Sequence, residues 1–311
     1  MSRYDFTGLS GSSRHDVRRH KMSASLFAER KSSNARPGKD ESREHFLARL
    51  THLQLQEKGI EEIEELEHCP KLVVLYLQDN LITNVRPLLT VSTLTTLHLE
   101  NNDIESMEGL NGLVALRKLV LARNKLQRVS GISALNRLED LDVSNQRIGE
   151  GGELDFEVES LMGIANSLSR LNIAGNGIRS LASFCSLSQL ENVDARRNCI
   201  ANIGDAVEIF ANEDSQIRNL DLRGNPVCNQ PRYRDNLILH GRPLRTLDDK
   251  DIEPQQRDFL MRFEMHKRRP KRTVASKSVE RLPKAAPAPL RQQNTGRKSD
   301  AARRIYGRKK F

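Results

Sequence analysis

The residues best suited to chemistry in this sequence are its cysteines, histidines and a few serines, and their spacing argues against both catalysis and metal binding. Cys69, Cys185, Cys199 and Cys228 stand far apart, with no CxxC pair and no histidine cluster beside them. Tetrahedral zinc needs ligands that short spacings bring together, so no metal site is expected. Thiols in this arrangement read as reduced, buried side chains of a cytoplasmic or nuclear protein. His52, His68, His98 and His240 have carboxylates nearby in sequence, but a histidine on the polar face of a strand is ordinarily just solvated. Ser167 and Ser169 lack the sharp strand-to-helix elbow of a nucleophilic serine. The glycines between Gly149 and Gly152 do not join a strand to a phosphate-binding helix, and no P-loop or dinucleotide pattern occurs. Neither enzymatic activity nor a cofactor is expected.

Charge points to a different chemistry. The 311 residues carry a net charge of +9 and no tryptophan. From Lys267 to the end, 16 Lys and Arg face only Glu280 and Asp300, so the rest of the chain is mildly acidic. The basic stretch holds Lys267, Arg268, Arg269, Lys271 and Arg272 at its start and Arg303, Arg304, Arg308, Lys309 and Lys310 at its end. Its composition cannot bury a core. A flexible cationic segment suits a polyanion: the acidic surface of microtubules, a nucleic acid, or recognition as a nuclear-import signal. Tyr306 and Phe311 are its only aromatics, so stacking on bases is poorly supported. Residues 1–39, rich in Ser, Arg, Lys and Gly, are also expected to be flexible. The opening Met1-Ser2-Arg3-Tyr4-Asp5 lacks the apolar run of a secretory signal. No later stretch is long and apolar enough to span a bilayer, so no membrane association is expected.

What would position any binding residues is a repeat. Steps of about 22 residues from Leu50 land on Leu72, Leu94, Leu116 and Leu138. Each is followed at +3 and +5 by aliphatics: Leu53/Leu55, Leu75/Leu77, Leu97/Leu99, Leu119/Leu121 and Leu141/Val143. After an insertion come Leu168-Leu171-Ile173, Leu190-Val193-Ala195 and Ile217-Leu220-Leu222. Side chains alternate across a strand, so the +3 and +5 residues point together into a core. Three residues after each pair stands Asn80, Asn102, Asn124, Asn176, Asn198 or Asn225, where a side-chain amide can satisfy backbone groups that a turn leaves unpaired. Lys58 and Gln146 replace it in two units, which predicts looser turns there. The return legs carry aliphatics at helix-like spacing, such as Ile82/Val85/Leu88 and Ile178/Leu181/Phe184.

These features predict an α/β solenoid, a leucine-rich-repeat horseshoe with parallel strands on its concave side, whose coils bury their apolar faces against one another. The ends need caps. Residues Asp40 to Leu47 predict a helix over the first coil. Tyr233 to Leu239, then Leu244 and Leu247, then a helix from about Glu253 to Lys267 with Phe259, Leu260 and Phe263 as its apolar side, predict the closing cap. The organisation is a flexible segment at 1–39, a capped repeat domain at 40–266 and a basic low-complexity tail at 267–311.

Residues between the buried aliphatics of each strand face outward on the concave side. Val74, Tyr76 and His98 make an aromatic and apolar zone toward the amino end. Asp140, Asp142, Asp194 and Asp221 make an acidic stripe beyond it, edged by Arg170, Asn172, Arg196 and Arg223. Aromatic and arginine anchors are typical of binding hot spots, and a preformed concave sheet is the usual working surface of such solenoids. These eleven residues are the candidate protein-binding site.

The repeat phrasing Leu72-Val73-Val74-Leu75-Tyr76-Leu77-Gln78-Asp79-Asn80 resembles the leucine-rich-repeat regulators of protein phosphatase 1. Asn145-Gln146-Arg147 with the insertion Gly149 to Phe156, and the cap Gly224-Asn225-Pro226-Val227-Cys228 with Pro231 to Asp235, sharpen the resemblance, which covers about Leu50 to Phe263. It implies binding to the phosphatase 1 catalytic subunit and to tubulin or axonemal microtubule proteins. It also implies a place in the cytoplasm at the cytoskeleton, in microtubule-organising centres, basal bodies or cilia. The short linear docking motif of many phosphatase partners (a basic residue, Val or Ile, a spacer, an aromatic) is missing, so contact through the concave face is expected. The alternative that the same horseshoe and tail permit is a nuclear RNA- or chromatin-associated adaptor.

Overall fold

The computed structural model describes residues 20–22, 24–27 and 33–268. All lie in the first of two units, Met1–Arg268; the second, Arg269–Phe311, lies outside the described residues.

At the amino end, β1 (His20–Lys21) and α1 (Ala24–Phe27) precede α2 (Arg43–Ala48). Ser42 caps α2 by accepting from His45 N at 3.2 Å, as expected of a serine before an apolar-faced helix. The strands that follow are β2 (His52–Gln54), β3 (Ile60–Glu62), β4 (Val74–Tyr76), β5 (Thr96–His98), β6 (Lys118–Val120), β7 (Arg128–Val129) and β8 (Asp140–Asp142). After the insertion come β9 (Asp155–Phe156), α3 (Val158–Ile164), β10 (Arg170–Asn172), β11 (Asn192–Asp194), α4 (Ile203–Val207) and β12 (Asn219–Asp221). The cap is α5 (Tyr233–His240), β13 (Thr246–Leu247), β14 (Lys250–Asp251) and α6 (Pro254–Arg268).

Ten strands form one sheet in the order β14-β13-β12-β11-β10-β8-β6-β5-β4-β2. All its pairings are parallel except β13 with β14. The register is that of the repeat: Leu53 pairs with Leu75, Leu75 with Leu97, Leu97 with Leu119, Leu119 with Leu141, and Leu141 with Leu171 across the insertion. These leucines and their +5 partners are fully or almost fully buried. Both edge strands are only two or three residues long, which blunts strand addition by other chains. Ser33 bridges Leu53 antiparallel at one end, and β14 closes the other.

The return legs are buried as expected, Ile82, Val85 and Leu88 being at most 1 % exposed. In 22-residue coils they form short 3-10 turns, Arg86–Thr90 and Leu110–Gly112, rather than α-helix. The 3-10 form rises about 2.0 Å per residue and spans the outer side with fewer residues. The insertion lengthens one coil enough for α3, and β9 pairs in parallel with β7. Phe156 then packs edge-on against Phe184 with ring centroids 4.9 Å apart.

Asn80, Asn102, Asn124, Asn176, Asn198 and Asn225 are at most 5 % exposed and form a ladder. Asn124 is typical. Its Nδ2 donates to Leu99 O at 2.9 Å and Leu121 O at 3.0 Å, and its Oδ1 accepts from Ile104 N at 3.1 Å. The looser turn expected at Gln146 is not found. Gln146 is 6 % exposed and continues the ladder, its Nε2 donating to Leu121 O at 2.8 Å and Val143 O at 3.0 Å, and its Oε1 accepting from Leu126 N. The extra methylene is accommodated in the coil that the insertion follows. Asp248, which follows the last parallel strand, accepts from Leu222 N at 2.9 Å, where other coils offer a strand carbonyl, and from Tyr233 Oη at 2.9 Å. Before each ladder residue the chain passes through positive φ, at Glu57, Asp79, Asn101, Arg123, Asn145, Gly175, Arg197 and Gly224. At Gly175 a Cβ would meet Asn145 Oδ1 at 2.6 Å, and at Gly224 it would meet Arg197 Cγ at 3.1 Å.

Three further expectations are corrected. The segment before Asp40 is not all flexible: β1 pairs with β3, Met22 N donates to Glu62 O at 3.0 Å, and Met22 and Phe27 are fully buried. The first coil has no preceding neighbour, and these two apolar side chains supply the surface it lacks. On α6 only Leu260 of the expected apolar side is buried; Phe259 is 68 % and Phe263 49 % exposed. Of the four cysteines only Cys69 is buried, and burial with the charges of Glu65 and Glu67 pushes its thiol up to about 11. Cys199 is exposed, and no disulfide joins the four.

Candidate protein-binding face

The sheet places the candidate residues side by side because each occupies the same position in its own coil. Val74 and Tyr76 lie in β4, His98 in β5, Asp140 and Asp142 in β8, Arg170 and Asn172 in β10, Asp194 in β11 and Asp221 in β12. Arg196 and Arg223 follow β11 and β12 by two residues. Two zones form, as the alternation of side chains predicts.

In the amino-terminal zone the Tyr76 and His98 rings lie 4.9 Å apart, tilted by 31°. His98 Nδ1 stands 3.1 Å from Glu100 Oε1, which holds the imidazole in place. The second zone is a concavity of about 520 Å³. Val120 and Leu171 contribute to its wall, and Asp140, Asp142, Asp194 and Asp221 are among its acids. The stripe expected to be acidic is largely neutralised. Asp140 pairs with Arg170 at 3.3 Å and Lys118 at 3.9 Å. Asp194 pairs with Arg196 at 2.6 Å, and Asp221 with Arg223 at 2.5 Å and Arg196 at 3.6 Å. The hydrogen bond to Asp194, with its charge, raises Arg196 above the usual guanidinium value. Burial pushes Asp221 up, but the hydrogen bonds and charges of Arg223 and the charge of Arg196 outweigh it and leave the carboxyl below its usual value.

Asp142 differs from its neighbours. It accepts from Ser144 N at 2.9 Å and Asn172 Nδ2 at 2.8 Å, and it has no ion-pair partner among the described residues. A carboxylate with fixed orientation therefore faces the amino-terminal part of the concavity. Beyond it an uncharged edge runs from Asn192 through Asn219 to Thr246, joined by hydrogen bonds between neighbouring side chains. Thr246 and Asp249, which also line the concavity, are not among the residues expected from sequence. The signal for Thr246 is the Leu244-to-Leu247 spacing, the repeat's own +3 step inside the cap, whereas Asp249 falls at +5, where the repeat expects a core residue.

Of the basic-tail candidates, Lys267 and Arg268 end α6. Arg269, Lys271, Arg272, Arg303, Arg304, Arg308, Lys309 and Lys310 lie outside the described residues. Among the described residues no group of three His, Cys, Asp or Glu is placed to hold a metal ion, and no helix is long and apolar enough to cross a membrane.

No protein-family model matches the chain. Among solved structures, a leucine-rich-repeat protein of Leptospira interrogans is 21 % identical over 68 % of this chain, with a TM-score of 0.50; the match spans 52 % of that protein. Internalin C2 of Listeria monocytogenes is 22 % identical over 60 % of this chain and 79 % of its own, with a TM-score of 0.48. A second Listeria internalin is 17 % identical, with a TM-score of 0.39. At such identities the likeness concerns architecture. With the mostly parallel ten-stranded sheet and the asparagine ladder, it makes the described unit a leucine-rich-repeat solenoid.

Proposed function

We propose that this protein is a non-enzymatic scaffold that binds one shaped protein partner on its concave sheet and a polyanionic surface through residues 267–311. The observation that carries the reading is the concave face itself. It joins an aromatic pair to a broad concavity whose other aspartates are mostly held by arginines, with Asp142 left without an ion-pair partner among the described residues. Side chains fixed on short strands lose little freedom on binding, which favours a defined partner.

The finer reading rests on the resemblance noted above, which is strongest to protein phosphatase 1 regulatory subunit 42. It makes the concave partner the phosphatase 1 catalytic subunit and the polyanion a microtubule, at a basal body, centrosome or axoneme. Joining the two activities in one chain would hold a phosphatase near microtubules at high effective concentration.

Co-sedimentation with microtubules and capture of phosphatase 1 test both halves. Deleting 267–311 is expected to weaken pelleting and leave capture intact, whereas a combined Tyr76→Ala, Asp142→Ala and Asp194→Ala variant does the reverse. Pelleting should also fall more steeply with salt than capture, since exposed charges are screened over about 8–10 Å. A tail deletion that pellets like the parent, or a triple variant that still captures phosphatase, refutes the division. Diffuse nuclear signal lost on removing the run from Lys267 to Arg272 would favour the RNA- or chromatin-adaptor alternative.

A further inference from the structure

The carboxy-terminal helix α6 has two faces. Leu260, 6 % exposed, packs toward the cap, and Arg257 anchors the same side by donating to the carbonyls of Ile238, Gly241 and Leu244. The adjoining flank carries Phe259 and Phe263, 68 % and 49 % exposed, with ring centroids 6.4 Å apart and the planes nearly parallel. Arg232 lies over the Phe263 ring at 5.6 Å and pairs with Glu264 at 3.2 Å, so this ring is held in position without being covered. Beside the rings stand Asp258 and Arg262, both exposed and neither with an ion-pair partner among the described residues. An exposed aromatic pair costs solvation in an isolated domain and marks an interaction surface.

We propose that this face is the interface of a weak, antiparallel, two-fold dimer of the chain. The charge order on α6 selects both the occupant and the direction. Residues four apart on a helix lie on one face, 6 Å along the axis from each other at about 1.5 Å per residue. In an antiparallel pair, Phe259 meets Phe263 of the second copy when the two-fold axis passes near residue 261. Asp258 meets the second copy's Arg262 when it passes near residue 260. The two conditions differ by one residue's rise, so one arrangement satisfies both. A parallel pair would set Asp258 against Asp258 and Arg262 against Arg262, which is repulsive. An isologous contact needs this kind of self-complementary patch.

Area sets the strength. A buried aromatic side chain removes about 150–250 Å² from water, so at these exposures the two rings offer roughly 100–140 Å² each. Four rings supply well under half of the roughly 1,200–2,000 Å² of a stable interface. The dimer should therefore form near about 100 µM and be dissociated near about 1 µM.

Sedimentation velocity of the full chain across that range tests this. The 35.3 kDa species is expected to give way to one of twice the mass as concentration rises. Phe259→Ala with Phe263→Ala should raise the dissociation constant at least about tenfold, as loss of central aromatic anchors does. D258R and R262D should each weaken association, and their combination in one chain should restore it, because the swapped pair is again complementary across the two-fold axis. All four side chains are exposed, so the variants keep the fold. A chain monomeric at every concentration, an alanine pair that dimerises like the parent, or a charge swap no better than its single changes would each overturn the proposal.

Discussion

The asparagine ladder predicts a stability difference between two chemically identical substitutions. In mid-array each ladder carbonyl is shared: Leu99 O receives both Asn102 and Asn124, and Leu121 O receives both Asn124 and Gln146. Asn124→Ala thus leaves both carbonyls with one donor and orphans a single buried group, Ile104 N. Asn80 stands beside Lys58, which replaces the ladder asparagine of the first coil. Among the described residues Leu55 O accepts from Asn80 alone, and Asn80 Oδ1 accepts from both Ile60 N and Lys58 N at 3.0 Å. Asn80→Ala therefore orphans two buried groups and one half-exposed one. At about 1–3 kcal/mol for each buried group left unpaired, Asn80→Ala should be more destabilising than Asn124→Ala by about 1–3 kcal/mol. Urea titrations followed by circular dichroism give the overall difference. Amide exchange at Ile60 and Ile104 locates it, which matters because repeat arrays can open in parts. Equal losses, or a larger loss at Asn124, would refute the shared-acceptor reasoning.

Two other outcomes follow from burial and titration. Leu97 is fully buried between two neighbouring coils, and Leu97→Ala should cost about 2–5 kcal/mol in the same titrations; a variant unfolding like the parent would misplace the core column. Glu41, held by Arg49 and then by Gly38 N, has its carboxyl lowered to about 2. A carboxyl lower when folded stabilises the fold above its ordinary value near 4.5, and that contribution disappears as pH falls toward about 2. With the intrinsic pH dependence of exchange divided out, the protection of α2 amides should fall over that window in the parent and change less in Glu41→Gln.

Much of this architecture is legible in the sequence because the repeat states one local rule many times. The +3 and +5 aliphatics place the core, alternation places the concave columns, and the asparagines place the turns. What the rule misses are the positions where a coil lacks a neighbour or changes length. Met22 and Phe27 precede any repeat and have no periodicity of their own, yet the first coil requires an apolar cover. Gln146 breaks the ladder by residue type while preserving it by chemistry, since its primary amide presents the same donor and acceptor one methylene further out. Whether a charge is free is only partly visible in one dimension. Asp194 and Asp221 are followed two residues on by Arg196 and Arg223, which pair with them inside their own coils, whereas Asp142 is followed by Ser144. Asp140 finds Arg170 only through the pairing of separate coils, which the sequence does not display.

The helix α6 shows the same limit from the other side. Its apolar residues at 259, 260 and 263 fit one amphipathic stripe when read at 3.6 residues per turn, and a stripe of that width is expected to face the array. The cap offers only one contact line, already occupied by Leu260 and the Arg257 guanidinium. Phe259 and Phe263 are displaced to the edge of that stripe and remain in solvent. The sequence signature of a cap helix and that of an interaction helix are therefore the same until the partner surface is known. In the interior of an array the next coil supplies that surface, whereas at α6 the second copy proposed above would supply it.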